Sequence, residues 1–160
     1  MNVFDASEIY QFAVKMEENG EKFYRRAAAI TEDEEARYLF NFLADEEVNH
    51  RKIFGEMLAK MKTIEPDERY PGEYMDYLKD LLDNRAVFSK KKLDAEFKGV
   101  KNTLSALDFA INREVDSILY YSEAKNLVDK KQQKTIEKII EEERKHFARL
   151  TNFKKEYKKR

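Results

Sequence analysis

The sequence predicts an all-α protein built as a four-helix bundle, and three observations lead to this prediction. Four glycines and two prolines among 160 residues leave few positions at which a helix would break. Apolar residues recur every three or four positions over long stretches, which is the spacing of one helix face. The two halves of the chain also resemble each other. With 42% hydrophobic residues, the chain is expected to form a single domain over 1–160 with a sizeable core.

The first two long helices are expected to form an antiparallel pair. The first should begin near Asp5 or Ser7, either of which could serve as its N-cap. Thr31 followed by Glu34 fits a capping box and predicts the start of the second helix, which should run to about Lys62. So short a connection favours antiparallel neighbours. The apolar stripes of these helices comprise Ile9, Phe12, Ala13, Met16, Gly20, Phe23 and Ala27, and then Leu39, Leu43, Phe54, Met57 and Met61.

A long connection over about 63–102 is predicted between the second and third long helices. It contains both prolines, and its length suits a crossover that joins one helix pair to the next. Within it we expect a short helix around residues 73–82. The basic run Lys90-Lys91-Lys92 is too short to indicate a nucleic-acid site, and we interpret it as a solvated surface loop.

The third and fourth long helices form the second predicted pair. The third should begin near Asn102 or Thr103, and Asp129 is the expected N-cap of the fourth. The basic C-terminal stretch from Lys154 is expected to be frayed and solvated. The core-facing seams comprise Leu104, Leu107, Ile111, Glu114, Ile118, Tyr121 and Val128, and then Ile136, Ile139, Ile140, Phe147, Leu150 and Phe153.

Charged residues interrupt these apolar stripes. The chain has only two histidines, His50 and His146, and each follows a glutamate, Glu47 or Glu143, by three positions. Residues three apart lie on one face of a helix, so each Glu–His pair falls within the stripe that should face the core. Burying a carboxylate is costly unless a partner compensates for its lost hydration. A bound metal ion is the usual compensation.

An internal repeat gives each helix pair the same set of residues. Glu17 precedes Glu47 by 30 residues, and Glu114 precedes Glu143 by 29. Each half thus has one helix with a lone inward glutamate and a second helix with the Glu-x-x-His pair. If the two pairs face each other, four carboxylates and two imidazoles meet in one bundle core.

Four carboxylates and two imidazoles exceed the needs of one metal ion but suit two. A set dominated by oxygen, with one nitrogen for each ion, favours iron or manganese over a structural zinc site. Zinc or mixed occupancy stays open, because such ligands do not select strictly. The alternative is an inactive bundle in which these charges form Glu–His ion pairs.

Four neighbouring residues could support the ligands. Glu46 and Glu142 each precede a candidate ligand and could orient an imidazole, although a surface acid beside the stripe is the simpler interpretation. Tyr24 and Tyr121 lie seven residues after Glu17 and Glu114. They could donate a hydrogen bond to a ligand or pass an electron, or they could serve only as aromatic packing.

The sequence resembles the ferritin-like superfamily, and more closely its rubrerythrin-like branch. The resemblance lies in the segments EENGEKFYRRA, DEEVNHRKIF, REVDSILYYSEA and EEERKHFARL. It implies a ferritin-like four-helix bundle with a left-handed crossover and a dinuclear iron site. By the family pattern, both metals would be bridged by Glu47 and Glu143, with Glu17 and Glu114 as terminal ligands. His50 and His146 would bind one metal each.

Two departures from the rubrerythrin pattern affect the expected function. Rubrerythrins typically carry a rubredoxin domain with four cysteines, and this sequence contains none, so electrons would come from a separate protein or a small reductant. Rubrerythrins also have an extra glutamate three residues after the lone glutamate of the third helix. Ser117 takes that position here, and its counterpart in the first half is Gly20.

The resemblance implies an oxidoreductase that reduces hydrogen peroxide or O2 in oxidative-stress defence. Two alternatives are a ferroxidase or iron-handling protein and a structural bundle that is stabilised by metal. A net charge of −1 gives no broad electrostatic case for nucleic acid or an anionic membrane. The absence of a leader pattern and of an apolar run of membrane length favours a cytoplasmic protein. A homodimer is expected from the family.

Overall fold

The structure, a computed structural model, describes residues 6–61, 77, 80 and 90–160. These residues form five α-helices, a 3₁₀ turn and no strand, which confirms the predicted all-α fold. The helices, in chain order, are α1 (Ala6–Ile30), α2 (Glu34–Met61), α3 (Lys90–Phe97), α4 (Thr103–Ala124) and α5 (Lys130–Tyr157). The turn Lys125–Leu127 lies between α4 and α5.

The four long helices pack as two pairs. α1 packs along α2, α4 packs along α5, and the pairs meet through contacts of α1 with α4 and of α2 with α5. The predicted start of α4 and the predicted N-cap of α5 are confirmed. The Asn102 side chain accepts a hydrogen bond from the Ser105 amide at the start of α4, and Asp129 accepts from the Lys131 and Gln132 amides of α5.

The capping box predicted at Thr31 is wrong. Asp33 caps α2, because its carboxylate accepts a hydrogen bond of 2.8 Å from the Ala36 amide. Thr31 is instead buried between the helix pairs, where its hydroxyl lies 2.5 Å from the hydroxyl of Thr103. The Thr31 side chain, which the local sequence suggests as the N-cap of α2, therefore contacts the second helix pair instead.

The basic run at residues 90–92 begins helix α3 and does not form the predicted loop. α3 is held against α1, because Leu93 is buried and Asp94 forms an ion pair of 3.1 Å with Arg26. The predicted short helix around residues 73–82 lies outside the described residues, apart from positions 77 and 80.

The C-terminal stretch also differs from the prediction. α5 continues to Tyr157, and Arg160 pairs with Asp33 at 2.9 Å and with Glu35. Both of these acids lie at the start of α2, so the end of the chain contacts the neighbouring pair.

The seam of α4 is rotated relative to the sequence prediction. Leu107, Glu114 and Tyr121 are buried as expected, whereas Leu104, Ile111, Ile118 and Val128 are only half-buried. Small residues complete the buried face, chiefly Ala106, Ala110 and Ala124.

Two apolar clusters fill the bundle, one towards each end. The first includes Met16, Phe54 and Ile140, and the second includes Phe23, Leu43 and Leu150. Every long helix contributes to both clusters, and the buried acids and histidines lie between the two. No helix in the described ranges combines the length and the apolar character that crossing a bilayer requires.

Candidate metal centre

All six charged residues predicted to face the core are buried in the layer between the two apolar clusters. Their exposed fractions are at most 6%. They come from four separate helices, yet the bundle brings all six together. They comprise Glu17 on α1, Glu47 and His50 on α2, Glu114 on α4, and Glu143 and His146 on α5.

Glu143 lies between the two imidazoles. Its Oε1 is 3.0 Å from His50 Nδ1, and its Oε2 is 3.2 Å from His146 Nδ1. Each imidazole also faces the lone glutamate of one pair: His50 Nδ1 is 3.7 Å from Glu17 Oε2, and His146 Nδ1 is 3.7 Å from Glu114 Oε2. The rings stack with centroids 5.8 Å apart. The arrangement therefore follows the internal repeat as an approximate two-fold relation.

The six side chains form two overlapping groups that could each hold a metal ion. Glu143 is common to both, and within each group one donor atom from every residue lies within 4.8 Å of the others. Glu47 belongs to one group only, whereas the family pattern led us to expect a bridge. The first group comprises Glu17, Glu47, His50 and Glu143, and the second comprises Glu114, Glu143 and His146.

Four donor atoms of these groups are buried without a hydrogen bond of good geometry. They are Glu17 Oε2, His50 Nδ1, Glu114 Oε2 and Glu143 Oε1. His50 Nδ1 and Glu143 Oε1 still face each other at 3.0 Å, whereas Glu17 Oε2 and Glu114 Oε2 each lie 3.7 Å from an imidazole Nδ1. A buried polar atom left without a partner is rare in proteins and costs about 1–3 kcal/mol. Bound cations at the two groups would use these lone pairs, so the donor set fits two metal ions.

The charged groups of the layer shift one another's pKa values. Burial alone lowers the pKa of both histidines, but nearby carboxylates raise that of His50 to about 12 and that of His146 to about 10. Burial, then repulsion by Glu143, raises the pKa of Glu114 to about 8. Burial and Glu17 raise the pKa of Glu47 well above its usual range.

Glu143 is shifted the other way. Burial raises the pKa of this carboxyl, but its contacts with His146 and His50 outweigh burial and hold the pKa below its usual range. These shifts favour protons on both imidazoles, on Glu47 and on Glu114, and an ionised Glu143 between the histidines.

Each of the two predicted tyrosines donates a hydrogen bond to the lone glutamate of the other helix pair. Tyr24 of α1 donates to Glu114 Oε1 of α4, and Tyr121 of α4 donates to Glu17 Oε1 of α1. Burial, then the nearby glutamate, raises the pKa of each phenol, so both hydroxyls stay protonated as donors. Each tyrosine thus fixes one oxygen of a carboxylate and leaves the other directed at a histidine.

The two acids that precede the Glu-x-x-His glutamates lie at the outer edges of the imidazoles. Glu142 Oε2 is 2.8 Å from His50 Nε2, and Glu46 Oε2 is 3.8 Å from His146 Nε2. Both contacts cross between helix pairs. An acid on the outer nitrogen sets the ring orientation and leaves Nδ1 for the centre, as in carboxylate–histidine–metal sites.

Phe42 was not singled out from the sequence. Its ring meets His146 edge-on, with centroids 6.3 Å apart, and the Arg149 guanidinium lies 4.5 Å from its centroid. The contact joins α2 to α5, and spacing along one helix gives no signal of it.

Comparisons with known proteins agree with the resemblance found in the sequence. The model of the rubrerythrin family matches residues 8–154. A crystal structure from Thermotoga maritima, of a protein assigned as ferritin-like and diiron-carboxylate, is 33% identical and has a TM-score of 0.74. The match covers 98% of this chain and 99% of that one. No curated protein matched.

A second solved structure, of a hypothetical protein from Pyrococcus furiosus, is 18% identical with a TM-score of 0.57. The match covers 95% of this chain and 89% of that one. At that identity the likeness concerns the fold alone.

Proposed function

Because the chain belongs to the rubrerythrin family, we propose that its buried centre binds two iron ions and reduces hydrogen peroxide or O2. The observation that carries the proposal is Glu143, one carboxylate placed between two imidazoles at 3.0 and 3.2 Å. A shared carboxylate offsets the repulsion between two cations. The unsatisfied donor atoms around it supply the remaining ligands.

The donor chemistry favours iron. Carboxylates dominate each group and one imidazole nitrogen completes it, a combination that suits iron and manganese. Manganese and zinc are the alternatives to be tested beside iron. Only iron and manganese of these three would support redox turnover.

The chain's own residues would hold and order the ions. Nδ1 of His50 and of His146 would face them, while Glu142 and Glu46 hold the outer nitrogens. Tyr24 and Tyr121 restrain the lone glutamates. The apolar clusters on both sides keep the layer buried from water. Bound iron would supply redox chemistry and Lewis acidity to the oxidant.

The reaction needs a separate electron donor. Reduction of one hydrogen peroxide to two waters consumes two electrons and two protons, and O2 consumes four of each. The sequence has no cysteine to hold an iron–thiolate relay, so we propose that a partner protein or a small reductant supplies the electrons. A cytoplasmic homodimer without nucleic-acid or membrane partners completes the proposal.

Turnover by the iron-loaded protein tests the function. The protein is reconstituted with ferrous iron under anaerobic conditions, given excess reductant, and supplied with peroxide or O2 in separate runs. Catalytic loss of either oxidant, absent from a His50→Ala/His146→Ala variant, supports the proposal.

Iron oxidation without oxidant turnover under reductant would contradict the proposal and favour iron handling. Sedimentation would then distinguish a ferroxidase from a storage subunit, because storage requires a hollow multi-subunit shell. Metal-dependent stability with neither activity would leave a structural bundle.

A further inference from the structure

We propose that Gly20 is a positioning residue for the metal centre, because its missing side chain makes the space that the Glu47 carboxylate occupies. A Cβ added at Gly20 would lie 2.8 Å from Glu47 Cδ and 3.0 and 3.1 Å from its two oxygens. Carbon atoms do not approach this closely without a shift. Glu47 can therefore keep its present position only beside a glycine.

The inference rests on the proposed metal site, since Glu47 completes the first donor group with Glu17, His50 and Glu143. The Gly20 backbone is ordinary helix without positive φ, so backbone conformation gives no reason for glycine here. A glycine inside a helix weakens it relative to alanine. The close approach of Glu47 is the compensating reason that the structure offers.

The equivalent position in the other helix pair carries a side chain. Ser117, three residues after Glu114 as Gly20 is after Glu17, is buried with 8% exposure. Glu143, the counterpart of Glu47, lies between the two imidazoles, whereas Glu47 lies against α1. A glycine on one side and a serine on the other thus accompany two different carboxylate positions.

An alanine at position 20 should displace Glu47, not the helix. The atoms in conflict are the far end of a flexible side chain, so the carboxylate can move while the backbone stays. The first donor group would lose one oxygen from its place, and the second group, which lacks Glu47, would be untouched. We expect Gly20→Ala to lower the affinity for one of the two ferrous ions by about tenfold or more, as mutation of supporting residues in metal sites does.

Gly55→Ala is the matched control. Gly55 also lies inside a long helix, α2, and a Cβ there would have nothing within 4 Å. Anaerobic titration with ferrous iron against a competing chelator should show two sites of unchanged affinity in Gly55→Ala and one weakened site in Gly20→Ala. Equal affinities in the two variants would overturn the inference.

A double-mutant cycle tests whether the effect passes through Glu47. In a Glu47→Ala background, adding Gly20→Ala should not change iron affinity further. It should also raise the melting temperature of the metal-free protein as Gly55→Ala does. An equal loss of affinity in both backgrounds would overturn the inference.

If Gly20→Ala fails to fold, the folding of the metal-free double variant still tests the inference. Recovery of folding in Gly20→Ala/Glu47→Ala would support the steric conflict, and failure of both would overturn it. These readouts do not depend on turnover. Absence of peroxide or O2 reduction in a protein with the expected iron affinities would contradict the proposed function alone.

Discussion

Tyr121 of α4 donates a buried hydrogen bond to Glu17 of α1, and Tyr24 of α1 returns the same contact to Glu114 of α4. Each helix pair therefore holds the lone glutamate of the other. The contacts join the two halves of the internal repeat at the level of the candidate centre. Their loss should affect both stability and metal binding.

Tyr121→Phe should lower the stability of the metal-free protein by about 1–3 kcal/mol, because it leaves Glu17 Oε1 buried without a donor. It should also weaken iron binding. Urea unfolding and anaerobic iron titration measure the two effects. Tyr120→Phe is the matched control, since its hydroxyl donates to the Ile9 carbonyl at 2.8 Å, away from the carboxylates. Equal iron affinities in the two variants would contradict a supporting role for Tyr121.

Glu142→Gln should lower metal affinity by about 10–100-fold, because Glu142 holds the outer nitrogen of His50 at 2.8 Å. Glu46→Gln should have a smaller effect, since its carboxylate lies 3.8 Å from His146 Nε2. The exposed neighbour Glu141 offers a control of the same charge change. Loss of affinity in Glu141→Gln as large as in Glu142→Gln would indicate a general charge effect.

The metal-free protein should lose stability as pH rises above about 6.5. The folded-state pKa values of His146 and His50, about 10 and about 12, exceed the ordinary value of 6.5. Groups with raised pKa stabilise the folded state fully below the unfolded pKa, and the stabilisation disappears as pH rises through the folded pKa. Glu114, raised to about 8, adds a loss that begins above 4.5.

Below about pH 4.5 the trend should reverse, because the lowered pKa of Glu143 contributes stability that is lost on acidification. Urea unfolding in a chelator across this range measures the profile. A His50→Ala/His146→Ala variant should show a shallower alkaline decline. A wild-type profile that is flat between about pH 6.5 and 9 would contradict the assigned protonation.

Asp33→Ala should destabilise the fold by about 1 kcal/mol through loss of the α2 cap. Thr31→Val should cost a similar or larger amount by a different route, since it leaves the Thr103 hydroxyl buried without its partner. Thr31→Ser keeps that hydroxyl and serves as the control. Thermal unfolding of the metal-free variants checks the assignment. An Asp33→Ala variant as stable as the wild type would indicate that Thr31 caps α2.

The burial of the four core glutamates and the two histidines could be predicted from the sequence because helical periodicity is local. The spacing of Glu47 and His50, and of Glu143 and His146, fixes one face, and the surrounding apolar residues show that this face is buried. The repeat then brings Glu17 and Glu114 to the same level. The spacing within each helix and the repeat between the helix pairs can both be read along the chain.

Contacts between helix pairs could not be predicted in this way. The pairing of Tyr24 with Glu114, and of Glu142 with His50, depends on how one pair is rotated against the other. The same reason explains the error at Thr31, whose hydroxyl contacts Thr103 across the pairs while Asp33 takes the cap. Local signals at residues 31–33 fit either arrangement.

The basic run at residues 90–92 shows a further limit. Composition alone indicates a solvated loop, but Leu93 is buried and Asp94 pairs with Arg26, and these tertiary contacts hold α3 as a helix. Helices this short depend on packing more than on intrinsic propensity.

The metal content of the protein after anaerobic reconstitution with ferrous iron tests the central claim most directly. Wild-type protein and His50→Ala/His146→Ala are compared after removal of loosely bound metal, with circular dichroism to verify that both are folded. The dinuclear centre predicts about two irons per wild-type chain, largely lost in the variant. A folded wild-type protein that retains no more iron than the variant would contradict the account.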